Sequence, residues 1–453
     1  FEVEFKDENS TEYLWNGEWV SAEKKEEIIK NKNGKDEIVT LLWTHVGLVV
    51  HREKNLGLAL LWKGHSPGVE LKAFLNLSKS HSLGDCKKSV EETYFNPTQN
   101  LACADKKEVA IYHVGKIPAR EKINGGLVRN GRFMPQDWKS TIPFGELPQN
   151  INNPSDMIYS ANQRPVTSQY KYYLSWDFHD SYRAKRIGEL LKENKGKISL
   201  DLLKHMQMDD LSIHARNLLP ALIVGVSKEV QSENKDFFEG LKTWDYHMKS
   251  DLWQPGVFYY WWKQVEENLF IKTLGPKARN AYPPIQHTVD LLRDAFLNSP
   301  YYDQKNYWFL GNVKSKEEVQ KELTKIITDS FLQLNNRLKT KYGEAFHKWR
   351  WDLIQKTVFP HPLKVEAFGR YEISASGSRY AINANFGEHG ATWRQIVKLG
   401  EDFEALTNFP GGQSGNPFDP KYDNFLEDWA KGEYKKIHFL EKPSVEDKSE
   451  VPQ

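Results

Sequence analysis

The chain has 453 residues, with 39% hydrophobic and 27% charged, a length beyond one ordinary core and a balance that excludes a disordered chain. Its 62 basic and 61 acidic residues leave a formal net charge of +1, without the basic excess that a nucleic-acid partner selects. No apolar run approaches the roughly eighteen residues of a helical membrane span, and the two cysteines, Cys86 and Cys103, are too few for a disulfide scaffold or a multi-cysteine metal site.

Residues 1 to about 70 read as β structure. Phe1 to Phe5 alternates apolar and charged residues, and without a leading Met it reads as a strand in the middle of a longer product. Ile38–Trp43, Val46–Val50 and Leu58–Trp62 are strand-like, the last after a turn at Asn55–Gly57. Residues 69–80 and 85–94 suit helices, and Leu101–Ala104 with Val109–Val114 predicts a hairpin across Asp105–Glu108. Residues 115–170, rich in Gly, Pro and Asn, predict irregular surface chain. Cys86 and Cys103 leave a bridge and two free thiols equally open.

From Ser181 to Leu338 helices dominate, with breaks expected near Pro220, Pro255, Pro283-Pro284 and Pro300. Ser315–Leu338 is the clearest, with Val319, Leu323, Ile326, Phe331 and Leu334 on a stripe that predicts core packing. Strands return over Leu363–Ile373, Tyr380–Phe386 and Gln395–Leu399, and a helix over Tyr422–Gly432 precedes an acidic tail. The order predicts a β-rich part over 1–180, a helical insertion over 181–360, and strands with a helix over 361–453 that return to one sheet layer built from both ends.

His-Glu-x-x-His, the phosphate loop and the dinucleotide loop are absent. His361 stands between two prolines and reads as a turn residue, while His45 and His51 sit at even spacing on a strand and would share a face, although a metal would need further ligands. Gly411–Gly415 encloses Ser414, but Asn416 and Pro417 follow, so it reads as a Gly-rich turn rather than a nucleophile elbow.

Several segments, in order, resemble the large chain of the penicillin acylases and their relatives, the acyl-homoserine-lactone acylases. Glu12–Trp19 and Trp43–Gly47 are similar to the family's early β region, and Asn100–Asp105 with Gly115–Arg120 to its central hairpin and exit. Asn153-Pro154, Tyr159–Asn162 and Tyr182-Arg183 resemble the stretch returning to the active site, and Met206–Ser212 part of a helix pair. Ser376-Gly377, Trp393-Arg394, Pro410–Gly415 and Tyr422-Asp423 resemble the C-terminal signature.

The resemblance implies an α+β chain in the αββα sandwich of N-terminal-nucleophile hydrolases, with a large helical insertion. It implies a self-cleaving precursor whose large chain starts with a Ser nucleophile, the α-amino group acting as base because it titrates near pH 7.7–8.0. The substrate would be a small N-acyl compound such as a penicillin or an acyl-homoserine lactone, and the partner a small (α) chain from the same precursor in the periplasm or outside the cell. Phe1 is not such a nucleophile, so this chain alone is expected to be inactive; a non-catalytic scaffold that lost the nucleophile is the rival reading.

By the same resemblance Asn162 donates to the oxyanion and Arg183 holds the catalytic groups in place. Phe74 falls at an aromatic wall of the acyl pocket and Gln99 at a pocket aliphatic, which makes that pocket less apolar. No cofactor is required and no metal ligand is assigned. A structural calcium ion stays open, although the carboxylate the family places near Tyr172-Tyr173 is missing.

Overall fold

A computed structural model describes residues 1–32, 34–120, 127–133, 138–152, 157–175, 177–277 and 282–438. The Asn153-Pro154 motif lies outside them. The chain divides into two compact units, Phe1–His179 and Asp180–Gln453.

In the first unit, β1 (Glu2–Glu4) is followed by a hairpin of β2 (Glu12–Trp15) and β3 (Glu18–Ser21). The two-residue loop Asn16-Gly17 takes positive φ at both positions, the turn whose twist matches that of the flanking strands. β4 (Glu23–Ile29), β5 (Glu37–Thr44), β6 (Gly47–Glu53) and β7 (Leu56–Leu60) complete an antiparallel sheet of order β1-β7-β6-β5-β4. His45 lies in the β5–β6 turn rather than on a strand, stacked 4.7 Å from Trp15, while His51 is exposed on β6.

Next come α1 (Glu70–Leu77) and α2 (Leu83–Thr93). Ser82 starts α2 by accepting from the Asp85 amide at 3.1 Å, and Asp85 accepts in return from the Ser82 hydroxyl and the His81 amide, satisfying orphan donors of the first turn. The predicted hairpin is present as β8 (Gln99–Ala104) and β9 (Val109–Val114), and β10 (Gln149–Ile151) joins it inside the stretch read as irregular. Asp105 closes the hairpin by accepting from the Lys107 and Glu108 amides. Val90, Tyr94, Ala110, Tyr112 and Val114 form the core between α2 and this sheet.

Cys86 on α2 and Cys103 on β8 form a disulfide across 17 positions. Closing a loop of that size removes denatured-state freedom worth about 3 kcal/mol. Replacing both cysteines by serine is therefore expected to lower the first unit's stability by about that amount, read as a shifted denaturation midpoint without reductant. An unshifted midpoint would mean the bridge contributes nothing.

The second unit opens with α3 (Tyr182–Glu193), α4 (Leu200–Gln207), α5 (Ile213–Gly225), α6 (Lys228–Glu233) and α7 (Lys235–Lys242). Pro220 does not break the chain. It sits inside α5, where Leu218, Leu219, Ala221 and Leu222 are buried, so packing outweighs the lost backbone bond. Pro255 lies in the first turn of α8 (Gln254–Leu274), where no amide hydrogen is required. The first half of α8, Pro255–Trp262, is apolar on every side and accordingly packed inside, Trp261 and Trp262 fully, while its second half keeps a polar face with Lys263, Glu266 and Glu267. α9 (Ile285–Phe296) and α10 (Lys316–Tyr342) pack in the same core, with Ser315 accepting from the Glu318 amide at the start of α10. Ile327, rather than Ile326, completes the α10 core stripe.

α11 (Trp351–Ile354), β11 (Thr357–Phe359) and β12 (Arg370–Ile373) follow, so only the end of Leu363–Ile373 is a strand. β13 (Arg394–Lys398), β14 (Glu404–Asn408), α12 (Leu426–Lys431) and β15 (Lys435–Lys436) close the described chain, the helix starting four residues after Tyr422. Tyr380–Phe386 is a set of turns, not a strand. Asn383 and Asn385 both donate to the Ser376 carbonyl, and such side-chain bonds compete with a sheet ladder. Among the described residues β11 pairs with β12, and β13, β14 and β15 with one another, so no described sheet is fed from both ends of the chain.

Candidate functional site

In the first unit a cleft of about 740 Å³ runs beside the β8–β9 hairpin. Its walls include Thr98, Asn100, His113, Lys116, Asn162 and Phe178. Glu70, at the start of α1, anchors the turn before β8 by accepting from the Phe95 and Asn96 amides at 3.3 and 2.8 Å, and its own backbone amide and that of Asn96 hold its carboxyl below the usual range.

Asn162 is an exposed wall residue with φ of 66°, the left-handed region that asparagine tolerates better than most side chains. The segment is tied on both sides. The Ala161 amide donates to Gln163 Oε1 at 2.7 Å and the His179 amide donates to the Asn162 carbonyl at 3.2 Å. Asn100 and His113 face each other across the hairpin register, with His113 Nδ1 2.8 Å from Asn100 Oδ1 and Asn100 Nδ2 2.9 Å from Ser160 Oγ. Burial holds the His113 imidazole below its usual pKa, so it is neutral at neutral pH.

The cleft is basic and aromatic. Lys63 stands 5.9 Å over the Trp138 ring and Lys116 5.4 Å over the Phe95 ring, arrangements that combine apolar contact with a positive charge.

Phe74 is 58% exposed on α1, edge-on to Tyr94 at 6.1 Å. Gln99 is the exposed first residue of β8. Neither is among the residues lining the cleft; strand alternation turns Gln99 away from its lining neighbours Thr98 and Asn100.

Arg183 belongs to the second unit, half-buried in the first turn of α3. Burial lowers its pKa and Asp180 opposes that shift; Asp180 also accepts from the Tyr182 amide at 3.2 Å. Tyr173, where the resemblance sets a calcium carboxylate, lies under the Arg120 guanidinium at 4.9 Å. A phenol beneath a fixed cation does not fit a calcium site. Among the described residues no group of three His, Cys, Asp or Glu side chains could hold a metal ion.

Ser414 is not an elbow nucleophile. Its hydroxyl accepts from the Asn416 amide inside a run of turns with no helix directly after it, and a Cβ on Gly412 would lie 1.9 Å from the Lys421 carbonyl oxygen, so the glycines serve the close approach of two chain segments.

Two charged clusters escaped the reading of the sequence. Arg186 binds Asp209 through two nitrogens, Nη2 at 2.8 Å, and Asp210, 1% exposed, bonds His247 Nδ1 at 2.6 Å and Lys249 Nζ at 3.1 Å. The twin aspartates after α4 were a visible signal; their partners lie 23 to 39 positions away.

The family model of penicillin amidase matches residues 1–445. Among curated proteins, acyl-homoserine lactone acylase QuiP of Pseudomonas syringae pv. tomato is 24% identical over 95% of this chain and 55% of its own length. Penicillin G acylase of Escherichia coli is 25% identical over 51% of this chain and 28% of its own length. The chain thus spans about half the length of the first of these relatives. A solved thermostable penicillin G acylase from Alcaligenes faecalis superposes with a TM-score of 0.66 at 16% identity, covering 97% of this chain and 82% of that one. The overlap shows the N-terminal-nucleophile hydrolase fold, as the sequence led one to expect.

Proposed function

The chain belongs to the penicillin amidase family, and from that premise we propose that its full gene product is an acylase that hydrolyses the amide of small N-acyl compounds. The nucleophile is an N-terminal serine supplied by the part of the precursor that the relatives have in addition, and a small chain from the same precursor completes the enzyme. The serine hydroxyl gives its proton to its own α-amine and attacks the amide carbonyl. Asn162 Nδ2 donates to the oxyanion of the tetrahedral intermediate and Arg183 keeps the α-amine in place. The C–N bond then breaks as the leaving amine takes the proton back from the α-ammonium, and water, giving a proton to the same α-amine, attacks the acyl-enzyme and releases the acid with the serine restored.

The observation that carries this reading is Asn162 in the wall of a sizeable cleft, in a chain matched by the family over residues 1–445. Lys63 and Lys116 favour a leaving amine with a carboxylate, as in a penicillin, over an uncharged homoserine lactone. The Cys86–Cys103 bridge supports a periplasmic or secreted product, since such bridges persist in oxidising compartments, and no described helix is long and apolar enough to cross a membrane.

The test is intact mass and N-terminal sequencing of the expressed full-length product, followed by a panel of N-acyl substrates. Two chains, the larger starting with Ser, Thr or Cys, are expected, and Asn162→Ala is expected to lower kcat by about 10²–10³. A single uncleaved chain without activity would replace this reading with the non-catalytic scaffold.

A further inference from the structure

We propose that His113, Asn100 and Ser160 are positioning residues that set the geometry of Asn162, an inference that rests on the acylase reading. The three side chains form one hydrogen-bonded line across the first unit. Asn100 and His113 are direct cross-strand partners on β8 and β9, so their side chains leave the sheet on the same face. Asn100 Oδ1 meets His113 Nδ1 at 2.8 Å, and its Nδ2 meets Ser160 Oγ at 2.9 Å, across a separation of 60 residues.

The line has a fixed polarity. With Asn100 Nδ2 donating to Ser160, its carbonyl must accept, so His113 carries its proton on Nδ1. Burial keeps the ring neutral, and Nε2 then holds the lone pair.

Ser160 lies two residues before Asn162 and is followed by buried Ala161. On the other side, the His179 amide grips the Asn162 carbonyl at 3.2 Å. Asn162 itself has a φ of 66°, a left-handed conformation open to asparagine but to few other side chains, so the direction of its side chain depends on how the flanking segment is held. The Asn100 amide is a side-chain tie between the rigid hairpin and this segment. An oxyanion donor loses most of its effect when displaced by about 1 Å, so a tie of this kind acts on the rate rather than on substrate binding.

The test uses the full-length product with its best N-acyl substrate. Asn100→Leu and Ser160→Ala are each expected to lower kcat by about tenfold with KM unchanged, the signature of an interaction made only in the transition state. The double variant is expected to lose no more than either single one, because both remove the same tie. Asn100→Asp accepts from His113 and from the Ser160 hydroxyl, and is expected to restore kcat to within about threefold of the parent. An active parent whose kcat is unmoved by Asn100→Leu and Ser160→Ala, or variants that change KM alone, would overturn the positioning role and leave the acylase reading standing. A processed parent that cleaves no N-acyl substrate would overturn both.

Discussion

Replacing Arg394 by alanine is expected to lower the stability of the second unit by about 4 kcal/mol, a large loss for a single side chain. Arg394 is 4% exposed at the start of β13. Its Nη1 donates to Asn408 Oδ1 at 2.8 Å and the Trp429 carbonyl at 3.0 Å, and its Nη2 donates to Asn383 Oδ1 at 3.0 Å. The guanidinium also lies 5.0 Å over the Trp429 ring. One cation thus joins β13, β14, α12 and the Tyr380–Phe386 turns. Each bond to a charged donor contributes about 1.5–3 kcal/mol, and truncation leaves the side-chain oxygens of Asn408 and Asn383 unpaired, while the Trp429 carbonyl keeps the Gly432 amide at 3.3 Å. No carboxylate faces it in these bonds, which is why burial lowers its pKa. Arg394→Lys offers one compact ammonium in place of a planar fork and is expected to recover less than half of the loss. Chemical denaturation of both variants reads the effect, and a loss under about 1 kcal/mol for Arg394→Ala would mean that the three bonds are replaced by solvent.

Arg394 also shows what the sequence could and could not reveal. Trp393-Arg394 stood out through its resemblance to a family signature, yet nothing local marks its partners, which lie 11 to 35 positions away. Features enforced by neighbours in sequence were legible: the Asp105 turn and its hairpin, the Ser315 cap, the apolar stripe of α10. Where distant packing decides, local rules failed, as with Pro220 inside α5 and the turns of Tyr380–Phe386. The site divides the same way. Asn162 was singled out only through resemblance, because a wall position with positive φ leaves no periodic trace. The Asn100 tie was invisible, since it spans 60 residues that only the folded hairpin brings together.

Acidification is expected to destabilise the second unit steeply through one histidine. His214 is fully buried on α5, with the rings of Tyr380, Phe258, Tyr182 and Trp262 at 4.9, 5.1, 5.5 and 5.5 Å. Desolvation, with a smaller push from Lys263, drives its pKa down to about 3. The unfolded imidazole titrates near 6.5. Below that value the unfolded chain takes up a proton that the folded unit refuses, so stability is intact above about pH 6.5 and falls by about 1.4 kcal/mol per unit of pH beneath it, reaching on the order of 4–5 kcal/mol near pH 3. His247 runs the other way. Its bond to Asp210 raises its pKa, so its contribution is complete below about 6.5 and is lost as pH rises through the folded value. Thermal unfolding of the parent and of His214→Phe, followed from pH 8 to pH 4, separates the two. The variant removes the acid-side loss assigned to His214 and keeps the alkaline-side loss assigned to His247, while carboxylate titration is common to both proteins. Parallel curves for parent and variant below pH 6.5 would show that the folded unit admits the proton at His214 after all.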